Sequence, residues 1–339
     1  MIKPKQAMQE GYRREAEWYT PVTIEPFPPE ARGVYGAYYL SVGSCFSSEV
    51  AEQFRRLGYR MLVNPYGTLY NPLSIAQALE FLAQPECPHS AGELFLHNGL
   101  YHSPYHHGEY SAPDREAAAH KIQAAWAQGH KHLTEGRQVW ITFGTTRTYR
   151  FTEQAPGAAV ANCHKLPPDR FIEENQSWSY CLERMQAAVR SVRRVNPHLS
   201  VLCTVSPIRY LKEGLQENCL NKSKLRLLCQ ALCEEEPQVY YFPAYEIMMD
   251  ELRDYRFWAA DMLHPTPQAR EYIGRRLAEV WSAPEEEQAQ NAARKLRKLF
   301  EHRPLHDSGR AALQQQIQKA ALHLSQNHPQ VCIPNILTP

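Results

Sequence analysis

The first strong apolar run in the chain, residues 38–42, is rich in β-favouring side chains and stops at Gly43. Apolar positions then recur at helical spacing over 47–57, so a strand is expected to pass through a tight glycine turn into a helix. A second apolar run at 59–64, a loop over 64–72 marked by Pro65, Gly67 and Pro72, and a helix over 73–83 repeat the unit. Such βαβα alternation predicts a parallel sheet covered by helices on both faces. Further strands are expected at 138–144, 199–205 and 238–242, and helices at 114–130, 172–195, 220–233 and 267–281. A small hairpin is expected from 148–151 with 158–161. Two stretches depart from the pattern. Residues 87–113 are long and rich in His, Tyr, Gly and Ser, which reads as an excursion or lid over the sheet. Beyond Pro284, sparse apolar positions among Glu, Gln, Lys and Arg predict two amphipathic helices separated by Arg303 and Pro304.

The expected organisation is therefore a polar lead-in (1–37), an α/β domain (38–282) and a helical C-terminal extension (283–339), a surface for the core or for a second copy of the chain. Composition narrows the partners. The formal net charge is +1, with no dense basic run interleaved with aromatics, so nucleic acid is not expected. Residues 1–19 lack an apolar signal core, and no stretch reaches about eighteen consecutive apolar residues, so a cytoplasmic protein without a membrane span is expected. The nine cysteines are scattered, odd in number and free of Cys-x-x-Cys spacing, which fits reduced buried thiols and no structural zinc.

Candidate chemistry centres on two places. Ser44 follows a strand at the start of a helix, where unpaired backbone N–H groups face an anion such as the oxygen formed when a serine attacks an acyl carbonyl. The simpler alternative is that Ser44 caps the helix. Asp261 and His264 share one loop after the last predicted strand, a spacing that lets the carboxylate hold Nδ1 while Nε2 acts as a base. Both places fall on the carboxyl-end rim of the predicted sheet. Cys45, also at the helix start, is expected to pack under the turn, although its thiol is a possible reactive atom. Arg209, at a strand end, either binds an anionic substrate group or forms an ion pair, with the ion pair preferred. His164 is a second candidate base or a hydrogen-bonded core residue. His97, His102, His106 and His107 invite a metal-dependent reading, but Pro104 argues against a helix presenting His102 and His106 together. A substrate-side wall built from Tyr101, His102, Tyr105 and His107 is preferred, with no metal and no cofactor.

Gly43-Ser44-Cys45-Phe46-Ser47 resembles the signature of the GSCFA family, with Ser47 where the family usually has Ala. The resemblance continues through the stretches 64–72, 97–103, 161–165, 204–209 and 241–246 and on to His264. That family is similar to the SGNH hydrolases, which implies a three-layer α/β/α fold and a serine esterase or acyltransferase acting on a small-molecule, carbohydrate or lipid acyl ester. On this resemblance Ser44 is the nucleophile and Asp261 and His264 complete a triad. It further implies an oxyanion site. Gly67 matches the glycine donor, Thr146 of Gly144-Thr145-Thr146 stands where an Asn is usual, and Asn162 is a candidate replacement, with the Ser44 N–H beside them. The contrasting expectation is a non-catalytic binding or assembly protein on the same scaffold.

Overall fold

The computed structural model describes residues 20–152, 159–212, 214–304 and 308–338. Five strands, β1 (Tyr38–Gly43), β2 (Arg60–Val63), β5 (Gln138–Phe143), β8 (Ser200–Val205) and β9 (Val239–Tyr241), form one sheet in the order β2-β1-β5-β8-β9. All four pairings are parallel, so every strand ends on the same rim. Helices cover both faces, giving a three-layer α/β/α fold. The period of two along each strand divides the core. Leu40, Val42, Ile141, Phe143, Val201 and Cys203 face one side, whereas Tyr39, Trp140 and Leu202 face the other.

The first side is closed by α2 (Pro72–Leu82), α4 (Trp178–Val195), α5 (Gly214–Glu235) and the end of α3 (Arg115–Thr134). The second is closed by α1 (Cys45–Arg55), α6 (Pro267–Trp281), α7 (Glu287–Glu301) and α8 (Ser308–Asn327). Side-chain caps start several of these helices: Asn71 accepts from Ser74 N, Asp114 from Ala117 N, Ser177 from Tyr180 N and Thr266 from Ala269 N. The C-terminal helices lie on the core, where α7 buries Ala289, Ala293 and Leu296 and α8 buries Leu324. Among the described residues no helix is long and apolar enough to cross a membrane.

Two local expectations change. The helix expected from 172 begins at Trp178, because Phe171–Asn175 forms β7, an antiparallel partner of β6 (Arg147–Phe151). The hairpin expected for 148–151 with 158–161 is thereby replaced. Ala159 retains one bridge to Arg150, and residue 158 lies outside the described residues, as do residues 1–19 of the lead-in. Within 87–113, β3 (Phe95–His97) and β4 (Leu100–His102) make a hairpin around Asn98 and Gly99, both at positive φ. Asn-Gly is the preferred pair for such a turn, because right-handed strand twist selects turns with left-handed central residues.

The second side is pinned by a buried polar group. The Gln138 carbonyl accepts from the indole N–H of Trp140 (2.8 Å) and of Trp281 (2.7 Å), and its amide donates to Ser200 Oγ and Ala31 O. Leucine at this position would leave two buried indole donors without an acceptor. Gln138→Leu is expected to lower the unfolding free energy by about 2–6 kcal/mol, from two buried donors left unpaired at roughly 1–3 kcal/mol each, measured by urea denaturation. A change below about 0.5 kcal/mol would contradict this role.

Candidate active site

Strand β1 delivers the chain to the rim at Gly43, whose φ of 150° and closeness to β5 leave no room for a side chain: a Cβ there would lie 2.4 Å from Thr142 O. Asn64 braces the turn, accepting from Gly43 N (2.9 Å) and donating to Ser48 Oγ (2.7 Å). Ser44 takes the N-cap position of α1 without capping it by its side chain. The residue is 0% exposed, its Oγ has no hydrogen-bond partner among the described residues, and its N–H donates to Thr142 O. Cys45, the first helical residue, is half-buried and presents Sγ to His264 Nε2 at 4.0 Å.

His264 is held from behind by Asp261. Oδ2 of the carboxylate accepts from Nδ1 at 2.7 Å, while Oδ1 accepts from the backbone N–H groups of Leu263 (2.9 Å) and His264 (3.0 Å). Those two N–H groups and then the imidazole hold the Asp261 carboxyl down at about 2, so it is an anion across the physiological range. With Nδ1–H donating to Asp261, Nε2 is the ring nitrogen left toward the α1 turn. Met262 adopts φ 60° to close the loop. Arg209 braces it: its guanidinium lies 3.5 Å from the Trp258 ring centroid and donates to Met262 O, and its N–H donates to Leu263 O. Among the described residues, stacking and carbonyl contacts thus take the place of the ion pair expected for Arg209. A surface groove of about 510 Å³ borders the loop through Arg209 and Trp258.

The residues expected to hold an oxyanion take part in local structure. Gly67 N donates to Asn64 O within its own turn, and a Cβ on Gly67 would strike His107. The Thr146 hydroxyl is buried between Asn175 Oδ1 (2.7 Å) and Asn221 Oδ1 (2.8 Å). Asn162 accepts from His164 N in a local turn. Free donors exist nearer the turn, since the first-turn N–H groups of a helix have no intrahelical acceptor. The N–H groups of Cys45 and Phe46, the first two residues of α1, are of this kind.

The histidine-rich stretch builds structure beside the rim. His102 pairs with Ser111 Oγ (2.6 Å) and His97 O (3.2 Å). His107 lies near Glu109, and His106 stacks on Tyr66 at 4.3 Å. His164 meets Ser103 O at 2.8 Å, and burial depresses its imidazole to about 4, so it is neutral near pH 7. Among the described residues no three His, Cys, Asp or Glu side chains are grouped to hold a metal ion.

Lys222 was not anticipated from the sequence. It is fully buried on α5 and donates to Gly144 O and Ser206 O, both at 2.7 Å, joining the chain just past β5 and β8. Its ammonium lies 5.0 Å from the Tyr210 ring and interacts electrostatically with Cys45. The signal was present: the apolar stripe Leu225, Leu228, Leu232 extrapolates back by helical steps onto Asn221, Lys222 and Asn218. Polar residues at core positions that end at a rim mark a site.

Burial depresses the Lys222 ammonium to about 7, so the unfolded chain binds that proton more tightly than the folded one. The burial penalty is full below about pH 7 and is relieved as pH rises toward the ordinary lysine value, about 10.4. Across pH 7 to 9 the Tm of the native protein is therefore expected to rise relative to that of Lys222→Met, measured by differential scanning calorimetry. A pH-independent difference between the two would contradict it.

Comparison with known proteins adds the family. No curated protein sequence matches the chain. One similar solved structure, from Streptococcus pneumonia and provisionally described as a platelet activating factor, shares 13% identity, covers 76% of this chain and 84% of its own, and has a TM-score of 0.37. Another, a carbohydrate esterase family 3 protein from Talaromyces cellulolyticus, shares 13% identity with a TM-score of 0.33 and covers 75% and 97% of the two chains. The family profile that matches spans residues 39–277, from β1 into α6, and includes the turn, the loop and the buried lysine: the chain belongs to the GSCFA family.

Proposed function

We propose that this protein transfers an acyl group from an ester or thioester donor through a covalent intermediate on the β1–α1 turn. Water as acceptor makes it a hydrolase, and an alcohol or amine makes it an acyltransferase. The observation that carries this reading is the 2.7 Å contact between His264 Nδ1 and an ionised Asp261, with Nε2 set against the turn. An imidazole held in that tautomer is a general base for a neighbouring hydroxyl or thiol. The resemblance to SGNH hydrolases supports the same class of chemistry and names the triad Ser44, His264 and Asp261, while the turn offers two nucleophiles, Ser44 and Cys45.

In the first step the nucleophile attacks the acyl carbonyl as its proton passes to Nε2. The oxyanion that forms lies at the N-terminus of α1, where the helix dipole and first-turn N–H groups favour negative charge. The imidazolium, stabilised by Asp261, then protonates the departing alcohol or thiol. In the second step His264 activates the acceptor, which takes the acyl group and restores the free side chain. With p-nitrophenyl acetate as donor, His264→Ala is expected to lower kcat/KM by about 10²–10⁴-fold and Asp261→Asn by up to about 10⁴-fold, the range for loss of a base and of its orienting carboxylate. Undiminished turnover in a folded His264→Ala protein would end this reading.

A further inference from the structure

Within that acyl-transfer reading, on which it rests, we infer that the nucleophile is the sulfur of Cys45 and not the oxygen of Ser44, so that the covalent intermediate is a thioester. Four observations converge on Cys45. His264 Nε2 faces Sγ at 4.0 Å, the outer reach of a sulfur hydrogen bond and a spacing that tightens when substrate closes a site. Ser44, one residue earlier, is wholly buried, has no partner for its hydroxyl among the described residues, and spends its N–H on Thr142 O. Its oxygen meets neither base nor solvent. Cys45 is the first residue of α1, so its sulfur stands at a helix N-terminus, where unpaired first-turn N–H groups favour an anion. Lys222, in its protonated form, adds a positive charge that favours a thiolate at the same atom.

The surroundings also define how the thiol must react. Tyr70 and Tyr210 face it as neutral groups, and the Tyr210 hydroxyl is buried without a partner among the described residues. Glu49, paired with Arg270, acts against a thiolate at this position. Burial first and then Glu49 raise the thiol above its ordinary range, outweighing the two N–H groups and Lys222. Cys45 is therefore a protonated thiol at rest, and attack requires transfer of its proton to His264 in the same step. The S–C bond forms as the S–H bond breaks onto Nε2. The bond from the acyl carbon to the leaving oxygen or sulfur then breaks as the imidazolium returns the proton to it. Deacylation reverses these roles with water or another acceptor, and the thiol regains its proton. A sulfur nucleophile leaves more readily than an alkoxide, so its adducts go forward with donors whose leaving groups are acidic. Acyl thioesters and aryl esters are the matching donors, and simple alkyl esters are poor ones.

Two measurements test the assignment. After incubation with p-nitrophenyl acetate or S-acetyl-N-acetylcysteamine and acid quench, peptide mass mapping is expected to place an acetyl group on Cys45, released by neutral hydroxylamine. Ser44→Ala should retain this adduct, whereas Cys45→Ala and the shape-conserving Cys45→Ser should lose the hydroxylamine-labile species. An adduct on Ser44, or full turnover in folded Cys45→Ala, would overturn the inference while leaving the acyl-transfer reading intact. No adduct on either residue, with turnover independent of His264, would remove both. The second measurement needs no donor. Alkylation of Cys45 by iodoacetamide should slow about tenfold or more in His264→Ala, as expected for loss of a general base, while the exposed Cys219 reacts at its original rate. Equal rates at Cys45 in the two proteins would overturn the assignment.

Discussion

The site depends on one close approach of backbone to backbone. At Gly43 strand β1 passes so near Thr142 of β5 that no side chain fits, and the chain turns there into α1. That turn settles the direction of the next two residues. Ser44 is folded inward, its N–H tied to Thr142 O, and Cys45 is left half-buried at the start of α1 with Sγ toward His264. The parallel sheet supplies the rest, because β8 and β9 end on the same rim and hand the chain to the loops carrying Arg209 and His264. Asp261, its carboxylate fed by two backbone N–H groups of its own loop, then fixes which imidazole nitrogen faces the turn.

Around this centre the protein buries charge where apolar packing would be easier. Lys222 replaces a core side chain on α5 and spends its donors on carbonyls just past the ends of β5 and β8. A fully buried ammonium carries a large desolvation cost, which appears in its depressed affinity for a proton. The return is a rim whose strand ends are joined by one group, with Glu49 and Lys222 acting in opposite directions on the Cys45 thiol. Burial first, and then Glu49, raises that thiol above its ordinary range.

Much of this was legible in the chain. The apolar runs and intervening helical periods gave the sheet, and the positions of Gly43 and of Asp261 with His264 after strands placed both on one rim. What was not legible has identifiable physical causes. The ribbon of β6 and β7 joins segments about twenty residues apart, and the half-exposed Phe171–Asn175 carries too few buried positions to outweigh the helical stripe that follows it. The Asn98-Gly99 turn was a readable hairpin signal inside a stretch taken only as an excursion. Which of two adjacent side chains faces a rim depends on backbone torsions at the glycine before them, and residue types do not carry that information. The oxyanion donors suggested by resemblance, Gly67, Thr146 and Asn162, instead hold local turns and a buried hydroxyl network, whereas backbone N–H groups of α1 remain at the turn.

The account stands on a covalent bond at one atom, and a crystal structure of the protein trapped during turnover examines it directly. Crystals of the protein, soaked with an acyl thioester and flash-cooled during turnover, should show acyl density continuous with Cys45 Sγ. Its carbonyl oxygen should lie toward the N–H groups of Cys45 and Phe46. Density continuous with Ser44 Oγ, or an intact donor bound away from the turn with both side chains unmodified, would contradict it.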